Sequence, residues 1–594
     1  MRGSRLVQLD ERIKLIDTAL ERIPADLVIK GANLVNVCTG EVYKTDIAVK
    51  GKRIALVGDI SRLVGADTKV LNVGGLYAIP GLIDSHMHVE STMLTLSGFA
   101  EVVLPRGVTS VLVDPHEIAN VLGMKGISLV INEAKKLPLK VYVEVPSRVP
   151  TAPGLETTGA SIGVKEVADM LTWDASVSLG EINSQHVLAK EKDYLLKIAS
   201  AREKGKPIDG HAAGLTGEAL NAFVAAGAGD DHECVRLEEA LEKLRLGIWV
   251  MLREGSTERN LLDLLKLLTE KKVSFGRCLF CTDDKHPLDL VNEGHMDYII
   301  RLAVKNGLNP ITAVQIATIN CAERFHLDEE IGSISPGRLA DIVLVDNLEL
   351  LNVKFVVANG LVVAKDGKLL VKLDKYKYPL WAKKTVHLKR SVKPNDFEVA
   401  VKRNLGTVKV RAIGLIEDQI MKEARVETLS VDKGHIMPSL EKDVIKIAVV
   451  ERHHKTGNIG LGFVHGFGLK SGALGSTVAH DHHNIVVVGV NGRDLATAVN
   501  ALAKLGGGFI VVKDGKVLES LPLPIAGLMT EASVVEVCKK LEALHAAART
   551  LECPLKSPFM SLSFVTLPTV PELGLTDLGL IDVRSNRLIE VVIS

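Results

Sequence analysis

The sequence has 594 residues, which at the usual ~100–200 residues per domain allows about three to five folding units. Its 72 basic and 72 acidic residues give a formal net charge of zero, and only 4% of residues are aromatic. Both values disfavour a nucleic-acid-binding protein that relies on a basic face or on base stacking. A hydrophobic content of 47% with 24% charged residues excludes a mainly disordered chain.

The first 25 residues predict an amphipathic N-terminal helix and not a signal peptide, because charges such as Asp10, Arg12 and Lys14 interrupt the apolar residues throughout. No window approaches about 18 uninterrupted apolar residues, so we expect no membrane-spanning helix. The seven cysteines are odd in number and scattered, which predicts reduced thiols and no disulfide framework. We therefore expect a cytoplasmic enzyme or binding protein.

Two segments with the same pattern of short strands and turns flank a long insert. Residues 26–79 contain short β-like runs separated by turn residues, and residues 332–375 resume that pattern. In the second segment the pairs Asn359-Gly360 and Asp366-Gly367 separate apolar runs, which is a strong signal for two-residue hairpins. We predict one composite β-sandwich domain built from both flanks.

The insert, residues 80–331, alternates strand-like and helix-like stretches, a pattern typical of a parallel α/β architecture. Helices are predicted between most strands, for example at Thr216–Ala226 and Leu261–Glu270. Eight βα units in a segment of this size predict a (β/α)8 TIM-type barrel. The eight candidate strands are Ala78–Ser85, Thr109–Asp114, Lys140–Val145, Ser176–Glu181, Pro207–His211, Ala228–His232, Ile248–Leu252 and Cys278–Asp283.

Residues 380–594 predict a separate C-terminal α+β domain. The region opens with a basic, polar stretch that is typical of a linker. Beyond it we predict a helix at Asp494–Leu505 and a hairpin at Phe509–Leu518 that turns at Asp514-Gly515.

The strongest local signal for chemistry is the pair His86-Met87-His88 at the end of the first candidate strand. Residues two apart on a strand point to the same side, and TIM-type barrels place their active sites at the carboxyl ends of the strands. Imidazoles there are good ligands for zinc, iron or manganese. Four other candidate strands end in ligand-type residues, and burying these groups on one rim is costly unless a metal or partner satisfies them. These residues are Glu181, His211, His232, Glu233, Asp283 and Asp284.

This constellation resembles the amidohydrolase superfamily, whose pattern is His-x-His, an acidic or modified residue, two further histidines and a final Asp. Within the superfamily it is most similar to the bacterial adenine deaminase family, and the resemblance covers nearly the whole chain. The re-entry into the flanking β segment at Pro336–Asp341 is also similar. The supporting stretches are Val113–Asn120, Ser178–Ile182, Asp209–Ala213, Asp230–Glu233, Cys281–Asp284, Val478–Asn484 and Pro568–Glu572.

The resemblance implies a cofactor of two divalent metal ions, with Mn²⁺ expected first and Fe²⁺ or Zn²⁺ as alternatives. Glu181 stands where many relatives have a carboxylated lysine, and either group supplies an oxygen between two cations. Strand alternation lets only one of the adjacent Asp283 and Asp284 face the metals, and we choose Asp283. The expected metal ligands are His86, His88, Glu181, His211, His232 and Asp283.

By the same resemblance the reaction is hydrolysis of adenine to hypoxanthine and ammonia in purine salvage, by metal-activated hydroxide attack at C6. Asp283 would accept a proton, and Glu181 or a rim histidine would protonate a ring nitrogen, so the expected catalytic residues are Asp283, Glu181 and His232. The partner would be a small purine, with no nucleic acid or membrane, and the chain would form a homodimer or higher homo-oligomer. The expected substrate-binding residues are His116, Glu117, Glu233 and Asp284.

Some of these residues have a second interpretation. His116 and Glu117 could instead belong to a helix-capping loop with solvent-facing charge, and Glu233 could orient a metal ligand. Other hypotheses for the whole chain are a different cyclic amide or amidine hydrolase of the superfamily and a non-catalytic barrel scaffold.

Two further motifs leave alternatives. His88-Val-Glu90 with Cys278-x-x-Cys281 superficially matches the small zinc nucleobase deaminases, but Arg277 stands where that signature has proline. Residues three apart on a strand lie on opposite faces, so we interpret the two cysteines as packing residues. The run from His480 to His483 could form a lid over the barrel mouth, an additional metal site or a solvated polar loop.

Overall fold

The computed structural model describes residues 2–416 and 421–593, and the segment 80–331 is built around eight parallel strands. The first five form one sheet in the order β5-β4-β3-β2-β1, and the last three form a second sheet in the order β6-β7-β8. The eight strands are β1 Leu82–Met87, β2 Val108–Val113, β3 Lys140–Val145, β4 Ser176–Asn183, β5 Ile208–His211, β6 Asp230–Asp231, β7 Trp249–Arg253 and β8 Cys278–Cys281.

Backbone contacts join the two parallel sheets at both edges. Asp283, just beyond β8, forms a parallel bridge with Met87, and its N–H donates to the carbonyl of His86 over 3.0 Å. At the other edge the N–H of Gly229 donates to the carbonyl of Ile208 over 3.0 Å. The strands therefore curl around a common centre, and residues that follow them lie near one rim.

Helices alternate with these strands, as predicted. The two expected helices form at Gly217–Ala226 and Leu261–Thr269. In the second, Leu261, Leu264 and Leu265 are buried whereas Leu262 is exposed, which is the spacing of a helix with one apolar face. The helices of this segment are Leu96–Val103, His116–Leu122, Met124–Ala134, Val164–Met170, Ser184–Leu188, Lys192–Glu203, Gly217–Ala226, Leu237–Arg245, Leu261–Thr269, Pro287–Asn292, Met296–Lys305, Pro310–Ile316 and Ile319–Arg324.

The predicted first strand, Ala78–Ser85, is wrong as a single element. It is two strands, Tyr77–Pro80 in an antiparallel sheet and Leu82–Met87 in the parallel one, with Gly81 between them. A Cβ on Gly81 would lie 2.0 Å from Oγ1 of Thr109, so only glycine fits where the chain passes from one sheet to the other. The predicted strand Ala228–His232 is also shorter, because pairing with β7 is confined to Asp230–Asp231.

Strands from both flanks of the parallel segment form one nine-stranded sheet. Asn359 and Gly360 have φ of 50° and 77°, and Ala358 pairs directly with Leu361 across them, so the predicted two-residue hairpin turn is confirmed. A single mixed sheet is present, and a sandwich stays a prediction. The strands of the nine-stranded sheet are Leu27–Asn36, Glu41–Lys50, Arg53–Gly58, Lys69–Asn72, Tyr77–Pro80, Ile342–Val345, Val353–Ala358, Leu361–Lys365 and Lys368–Leu369.

The C-terminal region, residues 380–593, mixes strands and helices as predicted. A ten-stranded sheet carries the helix Gly492–Leu505, which begins after the capping side chain of Asn491 and ends at Gly506 with φ of 80°. The strands of this sheet are Leu405–Leu415, Lys422–Asp432, His435–Ile436, Val444–Val450, Ile459–His465, Ala473–Ser476, Ile485–Gly489, Gly508–Lys513, Lys516–Pro522 and Val592–Ile593. A separate three-stranded sheet consists of Leu573–Thr576, Gly579–Asp582 and Arg587–Ile589. The α-helices Val534–Arg549 and Pro558–Val565 follow the helix Gly492–Leu505 in the described part of this region.

An N-terminal helix spans Arg2–Ala19, within the segment predicted to be helical. Short 3-10 helices occur at Val89–Thr92, Leu104–Arg106, Phe275–Arg277, Leu380–Lys383 and Pro394–Phe397. Among the described residues we find no helix with the length and apolar character that crossing a membrane requires. Among the described residues, free thiols occur at Cys38, Cys234, Cys278, Cys281, Cys321 and Cys538.

Candidate functional site

The carboxylate of Glu181, on β4, lies at the centre of the predicted ligands. Its Oε1 is 3.0 Å from Nε2 of His88 and 3.3 Å from Nε2 of His86, and its Oε2 is 3.0 Å from Nδ1 of His211. Nε2 of His232 lies 4.0 Å from Oε1. The two oxygens of one carboxylate therefore face histidines from different strands.

Asp283, and not Asp284, directs its carboxylate at this cluster. Its Oδ1 lies 3.1 Å from Nε2 of His88 and 3.8 Å from Nε2 of His86. Asp284 instead accepts a hydrogen bond from the hydroxyl of Ser91. All six predicted metal ligands thus come together, although they are separated by up to about 200 residues along the chain.

Several polar atoms of the cluster are buried without a well-formed hydrogen bond among the described residues. They include Nε2 of His86, Nδ1 of His211 and both carboxylate oxygens of Glu181. The trios His86–His88–Glu181 and Glu181–His211–His232 each hold three ligand atoms within 4.8 Å of one another, and they share Glu181. Orphaned buried polar atoms are costly, and imidazole with carboxylate suits manganese, iron and zinc. The donor set therefore fits coordinated metal.

Two further carboxylates contact the ring nitrogens of His86 and His232 that do not face Glu181. Oε2 of Glu144 lies 2.6 Å from Nδ1 of His86, and Oδ2 of Asp209 lies 3.2 Å from the same atom. Oδ1 of Asp209 also lies 3.7 Å from Nδ1 of His232, whose ring stacks on His86 with centroids 4.1 Å apart. A carboxylate on Nδ1 leaves Nε2 free for a metal. Neither residue was among the predicted site residues, although Asp209 precedes His211 by two positions on the same strand.

Arg253, at the end of β7, was also missed because arginine is not a metal ligand. Its Nη1 lies 2.6 Å from Oδ2 of Asp283 and 2.6 Å from Oε1 of Glu233. Burial alone would raise the pKa of Asp283, but the contacts with His88 and Arg253 hold that pKa well below its usual range. Oε1 of Glu233 also lies 3.8 Å from Nδ1 of His211. Glu233 is thus positioned to orient this ligand, and it also faces the rim.

His116 and Glu117 open the helix that follows β2, and both are 1% exposed. The solvent-facing alternative is therefore wrong. Nδ1 of His116 lies 3.8 Å from Oε1 of Glu181, so the pair borders the metal cluster. The two oxygens of Glu117 contact Nδ1 of His480 and Nε2 of His483 from the C-terminal region.

The run from His480 to His483 is buried, with each residue at most 4% exposed, so the solvated-loop interpretation is wrong. Asp481 accepts a hydrogen bond from Thr151, and with the contacts to Glu117 this places the run over the rim, as a lid would lie. A group of His116, Glu117 and Asp481 has metal-ligand spacing. Arg148 lies 3.3 Å from His116 and 3.6 Å from Asp481, so these side chains already contact a cationic group, and an additional metal site there stays a prediction.

The two cysteines of β8 are buried on opposite sides of the strand. Cys278 packs in the large hydrophobic cluster, and Cys281 packs in a separate one with Leu279 and Phe325. Burial raises the pKa of both thiols, that of Cys278 to about 12. Because the thiolate is the metal-binding form, these environments support packing and not zinc binding.

A cavity of about 700 Å³ opens at the rim between the parallel strands and the C-terminal region. His211 and Glu233 line it from one side, and Thr569 and Pro571 line it from the other. His211 is the most exposed of the six predicted ligands, with 16% of its side chain accessible. The cavity is within the usual size for a small-molecule site and reaches His211, one of the predicted ligands.

Comparisons with known proteins cover nearly the whole chain. Residues 77–370 match the model described as the amidohydrolase family, and residues 419–587 match the adenine deaminase C-terminal domain. The chain is 45% identical over 570 residues to an adenine deaminase of Desulforamulus reducens, covering 96% of each. It is 45% identical over 581 residues to one from Moorella thermoacetica, covering 98% of each. Among solved structures, a beta-aspartyl dipeptidase of Fervidobacterium islandicum AW-1 aligns with a TM-score of 0.44 at 20% identity, covering 59% of this chain and 99% of that one.

Proposed function

This chain belongs to the adenine deaminase family, and we propose that it is a metal-dependent hydrolase that converts adenine and water into hypoxanthine and ammonia, in purine salvage. The observation that carries the proposal is the convergence of His86, His88, His211, His232 and Asp283 around Glu181. It occurs in a chain that is 45% identical, over 98% of its length, to an adenine deaminase.

Two divalent cations, with Mn²⁺ as the first expectation, are the proposed cofactors. The two trios that share Glu181 would hold them, and Asp283 would complete the set. Bound there, the cations would act as Lewis acids and lower the pKa of water from about 15.7 towards 7. Glu144 and Asp209 would keep the histidine rings aimed at them.

The chain's own residues would then bind adenine and move protons. Asp283 is the proposed acceptor of the proton released when water adds to C6, and Arg253 fixes one of its oxygens. Glu181 or His232 would deliver a proton to a ring nitrogen. The purine edges would contact His116, Glu117, Glu233 and Asp284, which border the cluster.

The same proposal extends to the architecture. We propose that the parallel strands close into one (β/α)8 barrel over residues 80–331, which is supported by the backbone hydrogen bonds at both edges. Residues 1–25 would be an N-terminal helix, 26–79 with 332–375 a composite β-sandwich domain, and 380–594 the C-terminal domain. Free thiols such as those of Cys234 and Cys321 fit a reducing cytoplasm, and a homo-oligomeric state stays a prediction.

The test is direct. Metal-free protein reloaded with Mn²⁺ is incubated with adenine, and hypoxanthine is followed by ultraviolet absorbance while ammonia is measured separately. We expect stoichiometric conversion that depends on metal, and no comparable hydrolysis of a panel of cyclic amides. Preferential hydrolysis of a cyclic amide, or metal-independent turnover, would overturn the proposal.

A further inference from the structure

A chain of ion pairs runs from the C-terminal region to the candidate metal cluster. Asp481 lies 3.6 Å from Nη1 of Arg148, which follows β3, and Nη2 of Arg148 lies 2.5 Å from Oε2 of Glu181. None of the three residues is more than 5% exposed. We propose that Asp481 is a positioning residue that acts through Arg148 to hold the carboxylate of Glu181. This inference rests on the metal-dependent function proposed above.

The need for Asp481 follows from charge. Arginine stays protonated in proteins, and a buried cation without a close counterion is costly. When Glu181 ligates cations, its negative charge is shared with them, so it no longer neutralises Arg148 by itself. Asp481 supplies a second carboxylate, and it is anchored by the hydroxyl of Thr151 and lies 3.7 Å from Nε2 of His116.

The consequence for Glu181 is a fixed orientation. Its Oε1 faces His88 and its Oε2 faces His211, so a rotation of the carboxylate would disturb both ligand groups at once. An ionised carboxylate has about four acceptor positions, so Oε2 can stay ion-paired with Arg148 and still face a cation. Arg148 therefore restrains the rotation, and Asp481 keeps Arg148 in place. The C-terminal region would thus be a component of the catalytic site.

The competing explanation is that Asp481 merely attaches the C-terminal region to the parallel-strand segment. The chain offers a matched control for this, because Asp577 joins the same two parts of the molecule. Its carboxylate accepts from the N–H of Thr157 over 3.0 Å, from the hydroxyl of Thr157 over 2.7 Å, and from Asn458 over 3.0 Å. Asp577 is buried, and its contacts are to Thr157 and Asn458 instead of Arg148.

The experiment compares full-length Asp481→Asn, Arg148→Met, the double variant and Asp577→Asn, each loaded with Mn²⁺. Metal content, the spin-coupled electron paramagnetic resonance signal of the manganese pair, kcat and KM are measured. We expect Asp481→Asn to lower kcat about 10–100-fold with a smaller change in KM, and to weaken the spin-coupled signal. Asp577→Asn should leave the signal and kcat close to wild type. In the Arg148→Met background, Asp481→Asn should add little, because both residues act in one chain.

Additive effects of the two substitutions, an unchanged signal in Asp481→Asn, or an equal effect of Asp577→Asn would overturn the proposal. If Asp481→Asn does not fold, Asp481→Glu and Thr151→Val replace it in the test. We expect Asp481→Glu, which keeps the carboxylate, to retain part of the wild-type spin-coupled signal. We expect Thr151→Val, which removes only the anchor of Asp481, to weaken the same signal to a smaller extent. The signal is read without substrate. The variants could therefore show the expected signal changes while the wild-type protein releases no ammonia from adenine. That outcome would contradict the proposed function and leave the positioning role of Asp481 supported.

Discussion

The carboxylate of Asp283 is held from two sides by Arg253 and His88. Nη1 of Arg253 lies 2.6 Å from Oδ2, and Nε2 of His88 lies 3.1 Å from Oδ1. Asp283 adopts a left-handed backbone conformation with φ of 58°, which aspartate tolerates better than most non-glycine residues. The proposed proton acceptor is therefore fixed in position before substrate arrives.

Replacing Arg253 should release that carboxylate. We expect Arg253→Met to lower kcat by about 100-fold, because small displacements of a reacting group are enough to cause losses of that order. Steady-state kinetics with adenine measures the change. Arg259→Met is the control, since Arg259 forms a partly exposed ion pair with Glu293 at 2.9 Å. A loss in Arg259→Met as large as that in Arg253→Met would contradict this account.

The choice between the two adjacent aspartates can be tested in the same way. Asp283→Asn should reduce turnover by about 10²–10⁴-fold, the range for losing a general base, while most metal stays bound to the remaining ligands. Asp284→Asn should have a smaller effect on kcat, because its carboxylate contacts Ser91. Turnover and metal content are measured for both. Near-normal turnover in Asp283→Asn, or the reverse ranking, would refute the assignment.

Removing the carboxylate behind His86 should weaken metal binding. Glu144→Gln is expected to lower metal affinity about 10–100-fold, because Glu144 contacts Nδ1 of His86 at 2.6 Å. Competition with a chelator measures the affinity. Glu133→Gln is a matched control, since Glu133 is equally buried but accepts from Ser97 and Tyr378. Equal losses of affinity in the two variants would indicate a general effect of burial.

The cysteines of β8 should be dispensable for metal. Cys278→Ala and Cys281→Ala are expected to retain the wild-type metal content and to cost only about 1 kcal/mol of stability each, as small core truncations do. Elemental analysis and denaturant unfolding provide the two measurements. Loss of a metal equivalent in either variant would revive the zinc interpretation of the Cys-x-x-Cys motif.

The free energy of unfolding should fall as the pH rises, because the buried carboxyl of Glu156 resists ionisation in the folded state. Burial raises the pKa of Glu156 to about 8 from its ordinary value of 4.5. Below about pH 4.5 the carboxyl is protonated in both states, whereas between 4.5 and 8 the folded state binds the extra proton. Its contribution is therefore complete below about pH 4.5, falls by about 1.4 kcal/mol per pH unit between 4.5 and 8, and is lost above about pH 8.

Glu156→Gln should flatten this part of the profile, since the amide does not titrate. The apparent melting temperature of the two proteins, measured from pH 5 to pH 8 at constant ionic strength, gives the comparison. Parallel profiles for wild type and variant would show that Glu156 titrates at its ordinary pKa.

Local sequence was sufficient for the hairpin turns and for the common side on which His86 and His88 lie. Asn359-Gly360 and Asp514-Gly515 both adopt left-handed φ values, which asparagine, aspartate and glycine tolerate better than other residues. His86 and His88 both face Glu181, as the two-residue period of a strand requires. These features depend on interactions within a few residues.

Tertiary structure alone decided the strand break at Gly81 and the partners of the ligands. The break exists because Thr109 occupies the space of a side chain at position 81, a contact that a local apolar run does not encode. Nothing in the sequence pairs Arg148 with Asp481, and their contact exists only because folding buries Arg148 between Asp481 and Glu181. Backbone preference and strand period act locally, whereas a buried charge acquires its counterion only when distant segments pack together.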